Sequence, residues 1–395
     1  MKSEHRISLP AWPEYAEDEI AAVTEVLRSG KGNYWFGEHG KIFECEFAHY
    51  CDSLFSLTVG NGTLALELAL HALDIGKGDE VIVTPRSFVA SANCIVLSGA
   101  TPVFVDIDRN SQNITAETIE AGITSKTKAI IAVHLAGWPC EMDDIMSLAS
   151  QHNLVVIEDC AQAHGAAING KKVGSIGHVA AFSFCHDKII SAGGEGGMVL
   201  TNDEEVWARA ASFRNHGKDP RKYEPNIFGS KNVGLEDSFG SNYRLTEMQS
   251  AIARVQLKKL DGWVEIRRRN AKLLNDALGA YDLVRVTLPP DNIYHAYYKY
   301  YFFIELSKLH KSWSRDRIIS ELGKMGVPCS AGTSAEIYKQ DAYIKKGYSP
   351  LEPLPTAVEL AETSIMLPVS SNLDLEHIND MCRAVCHVIE CASGD

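Results

Sequence analysis

A lysine and an acid, each closing an apolar run, are the residues of this chain best suited to covalent chemistry. The segment FSFCHDKIISAGGEGG sets Lys188 between a serine-bearing apolar strand and a glycine-rich turn, and the upstream run VVIEDCAQAHG carries Asp159 near its end. Pyridoxal 5′-phosphate (PLP) chemistry needs such a pair. The amine forms a Schiff base with the cofactor aldehyde, and the carboxylate keeps the pyridine nitrogen protonated so that the ring accepts electrons. A single lysine is ordinarily a solvated surface charge, so the reading depends on the remaining parts of such a site.

A phosphate needs backbone N–H donors at a helix N-terminus, where the helix dipole adds to their pull. GNGT at Gly60–Thr63, between the run SLFSLTV and the periodic stretch LALELALHAL, offers that geometry. Gly62 would let the backbone approach closely and Thr63 would add a hydroxyl; the plainer reading is a simple strand–helix turn. Ser183 is a candidate second hydroxyl, or a strand serine that only packs. Phe88 follows the strand VIVT at the edge where ligands of open α/β sheets bind, and could carry a cofactor ring or fill the core. Asp159 itself could cap a helix instead, and Gln162 and His164 follow on its loop.

The elements that would position these residues are legible as a rhythm. Residues 16 to 28 have helical periodicity. Short β-branched runs (SLFSLTV, VIVT, PVFVDID, AIIAVH, VVIED, VAAFSF, GGMVLT) then alternate with helical stretches such as SFVASANCIVLSG and MDDIMSLASQHN. The pattern predicts an α/β domain with a mostly parallel sheet between helices. From about Asp203 to Arg269 the sequence is chiefly helical. The last third, with the aromatic strand candidate HAYYKYYFFIEL and helices near Asp316–Met325 and Leu373–Ile389, predicts a smaller α+β domain. The expected division is an arm at 1–15, a large domain at 16–260 and a small domain at 261–395.

Composition narrows the class. The 395 residues carry a net charge of −13 spread along the chain, which argues against nucleic-acid or anionic-membrane partners. No apolar run is long enough for a membrane span, and the N-terminus lacks a signal-peptide core. Ten cysteines include no CxxC pair, so the expectation is a reduced cytoplasmic protein without a metal site or disulfide framework.

The ordered segments FGEHGKIFECEFAHYC, GDEVIVTPRSFVASAN, ATPVFVDID, VIEDCAQAHGA, FSFCHDK, GEGGMV and GSNYRLTEMQSAIARVQLKKLD resemble the DegT/DnrJ/StrS sugar aminotransferase family. The resemblance implies a fold-type I PLP transferase that makes amino sugars for surface polysaccharides such as lipopolysaccharide. It makes Lys188 the Schiff-base lysine, Asp159 the partner of the pyridine nitrogen and Gln162 the neighbour of the ring hydroxyl. Ser183, Gly62 and Thr63 become phosphate ligands and Phe88 the stacking aromatic. Asn242 becomes a residue reaching the phosphate of the neighbouring subunit, which implies a homodimer with shared active sites. Catalysis would run through the Lys188 amine as base and acid, with L-glutamate as donor and a keto or aldehyde sugar as acceptor.

Departures from the family pattern mark the substrate side. Asn61 replaces a serine in the phosphate turn, and Trp138 stands where a glutamine is common. Arg86 suits an anionic substrate group through its planar fork, or else a surface ion pair. Arg244 and Tyr338 lie in segments resembling active-site stretches. The acceptor is expected to be a nucleotide-linked keto sugar or the unlinked 8-oxo-3,8-dideoxy-octulosonate. Two other classes are a PLP-dependent sugar dehydratase and a non-catalytic binding or regulatory protein. Dehydratase relatives carry histidine in place of the lysine; here Lys188 holds that position, with His186 nearby.

Overall fold

The computed structural model describes residues 6–222 and 236–393. In chain order the strands are β1 (Phe55–Val59), β2 (Glu80–Val83), β3 (Thr101–Phe104), β4 (Thr127–Val133) and β5 (Val155–Asp159). The short pair β6 (Ala167–Ile168) and β7 (Lys171–Lys172) follows, then β8 (Val179–Ser183) and β9 (Gly197–Thr201). The last are β10 (Val284–Val286), β11 (Ile293–Tyr294), β12 (Tyr300–Ile304) and β13 (Ser364–Leu367).

A seven-stranded sheet in the order β1-β9-β8-β5-β4-β2-β3 forms the centre. The pairs from β8 through β5, β4 and β2 to β3 are parallel, and β9 alone runs against its neighbours. Ile130, Ile131, Val156, Ile157, Ala180 and Ala181 are buried with side chains on both faces, as a helix-covered parallel sheet requires. Because these strands share a direction, β1, β2, β5 and β8 all end at one edge. Asn61, Phe88, Asp159 and Ser183 therefore lie along that edge, and the glycine-rich turn after Lys188 re-enters the sheet there as β9.

The helix Gly62–Ala72 starts where Asn61 accepts the Leu64 N–H at 2.9 Å. Its apolar residues Ala65, Leu66, Leu68, Ala69, Leu70 and Ala72 are buried, so packing rather than propensity holds it. The helix His39–Cys51 receives its N-terminal cap from a distant residue: the buried Glu247 carboxylate accepts from the N–H groups of His39 (2.6 Å) and Gly40 (3.0 Å). At Gly37 a Cβ would lie 2.1 Å from that carboxylate.

The second layer is the antiparallel sheet β10-β12-β13, covered by the helices Arg315–Lys324 and Leu375–Ala392. The helix Glu247–Leu278 serves both regions: Leu260 and Val264 pack with the large sheet's core, and Ala271, Leu274 and Leu278 with the smaller one. The expected boundary at 260/261 thus falls inside a continuous helix. Only the second half of HAYYKYYFFIEL is a strand. His295–Lys299 is irregular, with Tyr297 at φ 47°, and docks on the turn after β4 through Ala296 N–H to Gly137 O and Tyr298 N–H to Ala136 O. Among the described residues, no helix is long and apolar enough to cross a membrane.

Candidate active site

Gly62, Thr63, Phe88, Asp159, Gln162, Ser183 and Lys188 line one cavity of about 400 Å³ at the C-terminal edge of the large sheet. A helix N-terminus leaves its first N–H groups without intrahelical partners. Asn61 takes those of Leu64, through its side chain, and Ala65, through its carbonyl; those of Gly62 and Thr63 remain at the cavity. A Cβ on Gly62 would sit 2.6 Å from the Ser183 Cβ. The helix start and the end of β8 therefore touch only because residue 62 is glycine, and this contact builds a cradle of N–H donors and a hydroxyl. Such a donor set fits a phosphate.

Asp159 lies 4% exposed at the end of β5, with Oδ2 accepting from Ser91 Oγ (2.7 Å) and Oδ1 from the Ala161 N–H (3.1 Å). Burial raises its carboxyl above the ordinary value, against the opposing pull of Ser91, Ala161 and Lys188. A pyridinium N–H is the kind of partner that would hold such a group ionised. Gln162 accepts the Ala136 N–H through Oε1 at 2.8 Å, which keeps its amide nitrogen as a donor. Phe88, 64% exposed, presents a large apolar ring in the cavity wall. The residues present therefore fit PLP.

Lys188 reaches the cavity with its side chain 14% exposed. Its carbonyl accepts from Trp12 Nε1 at 2.9 Å, so the N-terminal arm fastens the lysine's main chain. The Nζ donates to the Tyr298 hydroxyl at 3.3 Å and lies 3.4 Å from Asp187 Oδ1. His164 is fully buried between the rings of Phe182 and Phe184, and burial followed by the Lys188 charge lowers it to about 3, so it is neutral. His186 is exposed and does not line the cavity.

Behind Asp159, the buried Glu158 carboxylate accepts from His134 Nε2 (3.1 Å) and from the N–H groups of Gly174 (2.9 Å), Ile176 (2.9 Å) and Gly177 (2.7 Å). His134 Nδ1 accepts from the Cys140 N–H at 2.9 Å, which fixes the ring hydrogen on Nε2. Although burial pushes Glu158 up, His134 and these backbone donors hold it below the usual carboxylate value. Cys160 stands beside the pair, but the carboxylate's lone pairs already serve four N–H donors.

The four residues expected on the substrate side lie outside this cavity. Arg86 is neither a surface ion pair nor a cavity residue. It is fully buried, with Nε on Gln112 Oε1 (2.8 Å), Nη2 on Ser364 Oγ (3.0 Å) and its guanidinium 5.5 Å from the Tyr301 ring centre. Trp138 is 7% exposed and packs on His295. Tyr338 is 3% exposed, donates to Glu336 at 2.6 Å and packs on Phe104. Arg244 donates to Asn215 at 3.1 Å and lies over the Trp35 ring. Asn242 is exposed and bridges to Asn215, away from the cavity of its own chain.

Sequence reading missed Ser91, Asp187 and Tyr298. Ser91 stands three residues after Phe88 in a stretch read as helical, so its shared face was a usable signal. Tyr298 gave none, because its position depends on the irregular backbone before β12.

Comparison with known proteins agrees with this geometry. The model of the DegT/DnrJ/EryC1/StrS aminotransferase family matches residues 13–386. A solved aminotransferase from Psychrobacter cryohalolentis superposes with a TM-score of 0.95 at 46% identity, covering 98% of this chain and all of that one (100%). The GDP-perosamine synthase of Caulobacter vibrioides is 41% identical over 297 residues, 74% of this chain and 76% of that protein. A pleiotropic regulatory protein of Geobacillus stearothermophilus is 37% identical over 368 residues, 92% of each chain. The chain belongs to the DegT/DnrJ/EryC1/StrS aminotransferase family and is a fold-type I, PLP-dependent aminotransferase.

Proposed function

We propose that the protein moves an amino group from L-glutamate to a keto sugar carried on a nucleotide, in the cytoplasmic synthesis of a surface polysaccharide. The observation that carries this is the convergence of an amine, a buried acid and a helix N-terminus on one cavity. PLP, when bound, supplies an aldehyde that condenses with amines and a ring that withdraws electrons. In this reading Lys188 holds the cofactor covalently and, once released, takes and returns the proton that transamination moves. Asp159 faces the pyridine nitrogen, Gln162 the ring hydroxyl and Phe88 the ring. The Gly62 and Thr63 N–H groups, the Thr63 hydroxyl and Ser183 face the phosphate. Asn242, exposed on its own chain, would reach the phosphate of the partner subunit in a homodimer.

The similarity to GDP-perosamine synthase favours a nucleotide-linked acceptor over the unlinked 8-oxo-3,8-dideoxy-octulosonate. The test is the absorption spectrum of the purified protein before and after L-glutamate. Replacement of the visible cofactor band by near-ultraviolet absorption, reversed by a nucleotide-linked keto sugar, is the expected result. Reversal only by the octulosonate aldehyde would move the substrate, and a band indifferent to glutamate would remove the donor. Failure to bind PLP at all would favour a regulatory role, the second reading that the Geobacillus relative suggests.

A further inference from the structure

Lys188, Asp187 and Tyr298 form a closed triangle at the cavity wall. The Lys188 Nζ donates to Tyr298 Oη at 3.3 Å and lies 3.4 Å from Asp187 Oδ1, and the Tyr298 hydroxyl donates to Asp187 Oδ2. Tyr298 is 6% exposed. Its backbone is held on both sides, the N–H by Ala136 O at 2.8 Å and the carbonyl by Arg267 Nη1 at 3.1 Å. The phenol is thus delivered to the lysine by a fixed main chain rather than by a mobile loop. Asp187, half-exposed, lines the cavity from the residue beside the lysine.

The protonation states suit a receiving site. Burial, then the Asp187 charge, pushes the Tyr298 hydroxyl well above its ordinary value, so it remains a donor. Burial pushes Asp187 up, but the Lys188 charge and the Tyr298 hydroxyl hold it below the ordinary carboxylate value, so it stays anionic. Donating its one hydrogen to Asp187 leaves the Tyr298 oxygen free to accept from an amine.

We propose that Asp187 and Tyr298 dock the free amine of Lys188, giving it a counter-charge and one fixed position whenever it is not covalently engaged. The pair are positioning residues, and the proposal rests on the functional reading above, in which Lys188 is the amine that captures the cofactor. The other charged or titratable groups around the triangle are Lys299, Arg267, His164, Asp159 and Tyr301. Lys299 Nζ lies 4.9 Å from the Tyr298 ring centre and Lys188 Nζ 4.8 Å. Among the described residues, Asp187 is the anion in contact with the Lys188 amine.

The test uses the full chain freed of cofactor, mixed with PLP across a pH series, quenched with borohydride and read by mass spectrometry at the Lys188 peptide. Capture needs the amine seated at the cavity, so removing either docking partner slows it. Asp187→Asn keeps the side-chain shape but removes the counter-charge, and should lower the plateau rate of capture about tenfold while non-covalent PLP affinity stays unchanged. Tyr298→Phe keeps the carboxylate and should lower the plateau rate about tenfold by freeing the side chain to other rotamers. Both variants preserve side-chain shape, and unchanged melting curves would confirm that they fold. Wild-type profiles in both variants would overturn the docking pair and leave the functional reading intact. No capture at Lys188 in the wild-type protein would instead remove that reading and the pair with it.

Discussion

Replacing Glu158 by Gln tests whether the polar network behind Asp159 holds the end of β5 in place. Two carboxylate oxygens serve four N–H donors: Oε1 takes the part-buried Ile176 and Gly177, Oε2 the buried His134 and Gly174. Glutamine keeps one oxygen, and its amide nitrogen must then face two N–H groups that have no other acceptor. Each orphaned buried donor costs about 1–3 kcal/mol, so the substitution should destabilise by about 2–6 kcal/mol. Unfolding entropy of about 2 cal/mol/K per residue over 395 residues converts this to a fall of about 2–7 °C in Tm. Differential scanning calorimetry of the full chain measures it. The pH dependence gives a second reading. Because the folded-state value of Glu158 is depressed below the unfolded one near 4.5, its stabilisation is full above that value and is lost as pH falls through the depressed folded-state value. Glu158→Gln should therefore show a Tm deficit that shrinks as the pH falls below about 4.5. A change of less than a degree at neutral pH, or curves that stay parallel into acid, would refute the network as described.

Three further outcomes follow from the cavity. Lys188→Ala should abolish turnover and the visible cofactor band while PLP still co-elutes with the protein; full activity would refute the lysine's role. Asp159→Asn retains the Ser91 contact but removes the charge, and should lower kcat by about 10²-fold or more, as loss of a preorganised electrostatic partner does, measured in single-turnover reaction with L-glutamate. Gly62→Ala drives a methyl against Ser183 at 2.6 Å, and an overpacking cost of about 1–3 kcal/mol should weaken PLP binding about 5- to 150-fold by equilibrium titration.

The sheet was legible because its strands are short β-branched runs set apart by helical stretches, and the residues at their ends inherit one edge from the shared strand direction. Asp159, Ser183, Phe88 and the Gly62 turn reach the same edge for that reason, and glycine at residue 62 lets the turn touch Ser183. Arg86 shows where such reasoning stops. It lies between Pro85, whose carbonyl accepts from Ile337, and Ser87, whose N–H donates to Ser334. The loop is therefore sewn to the last third of the chain, and the side chain turns inward toward Ser364 instead of following Phe88. Tyr298 fails for a different reason. HAYYKYYFFIEL is aromatic enough throughout to read as one strand, but the left-handed backbone at Tyr297 interrupts it, and only tertiary contact with the turn after β4 dictates that bend. The helix through residue 260 likewise has no break to read, since the change of packing partner occurs along a single face.

The N-terminal arm has a consequence for the order in which this molecule can be assembled. The Trp12 indole donates to a carbonyl 176 residues away, and its ring is gripped by Trp263 (centroids 5.2 Å apart) and by Arg267 (5.1 Å). The arm is therefore synthesised well before the helix residues that grip it. Until the helix Glu247–Leu278 has been made, the Trp12 ring lacks the Trp263 and Arg267 side chains that grip it, and the brace on the lysine loop is incomplete. Such distant contacts make folding slow. A nascent or prematurely terminated chain that already contains both Lys188 and Asp159 would thus present an amine without the frame that directs it.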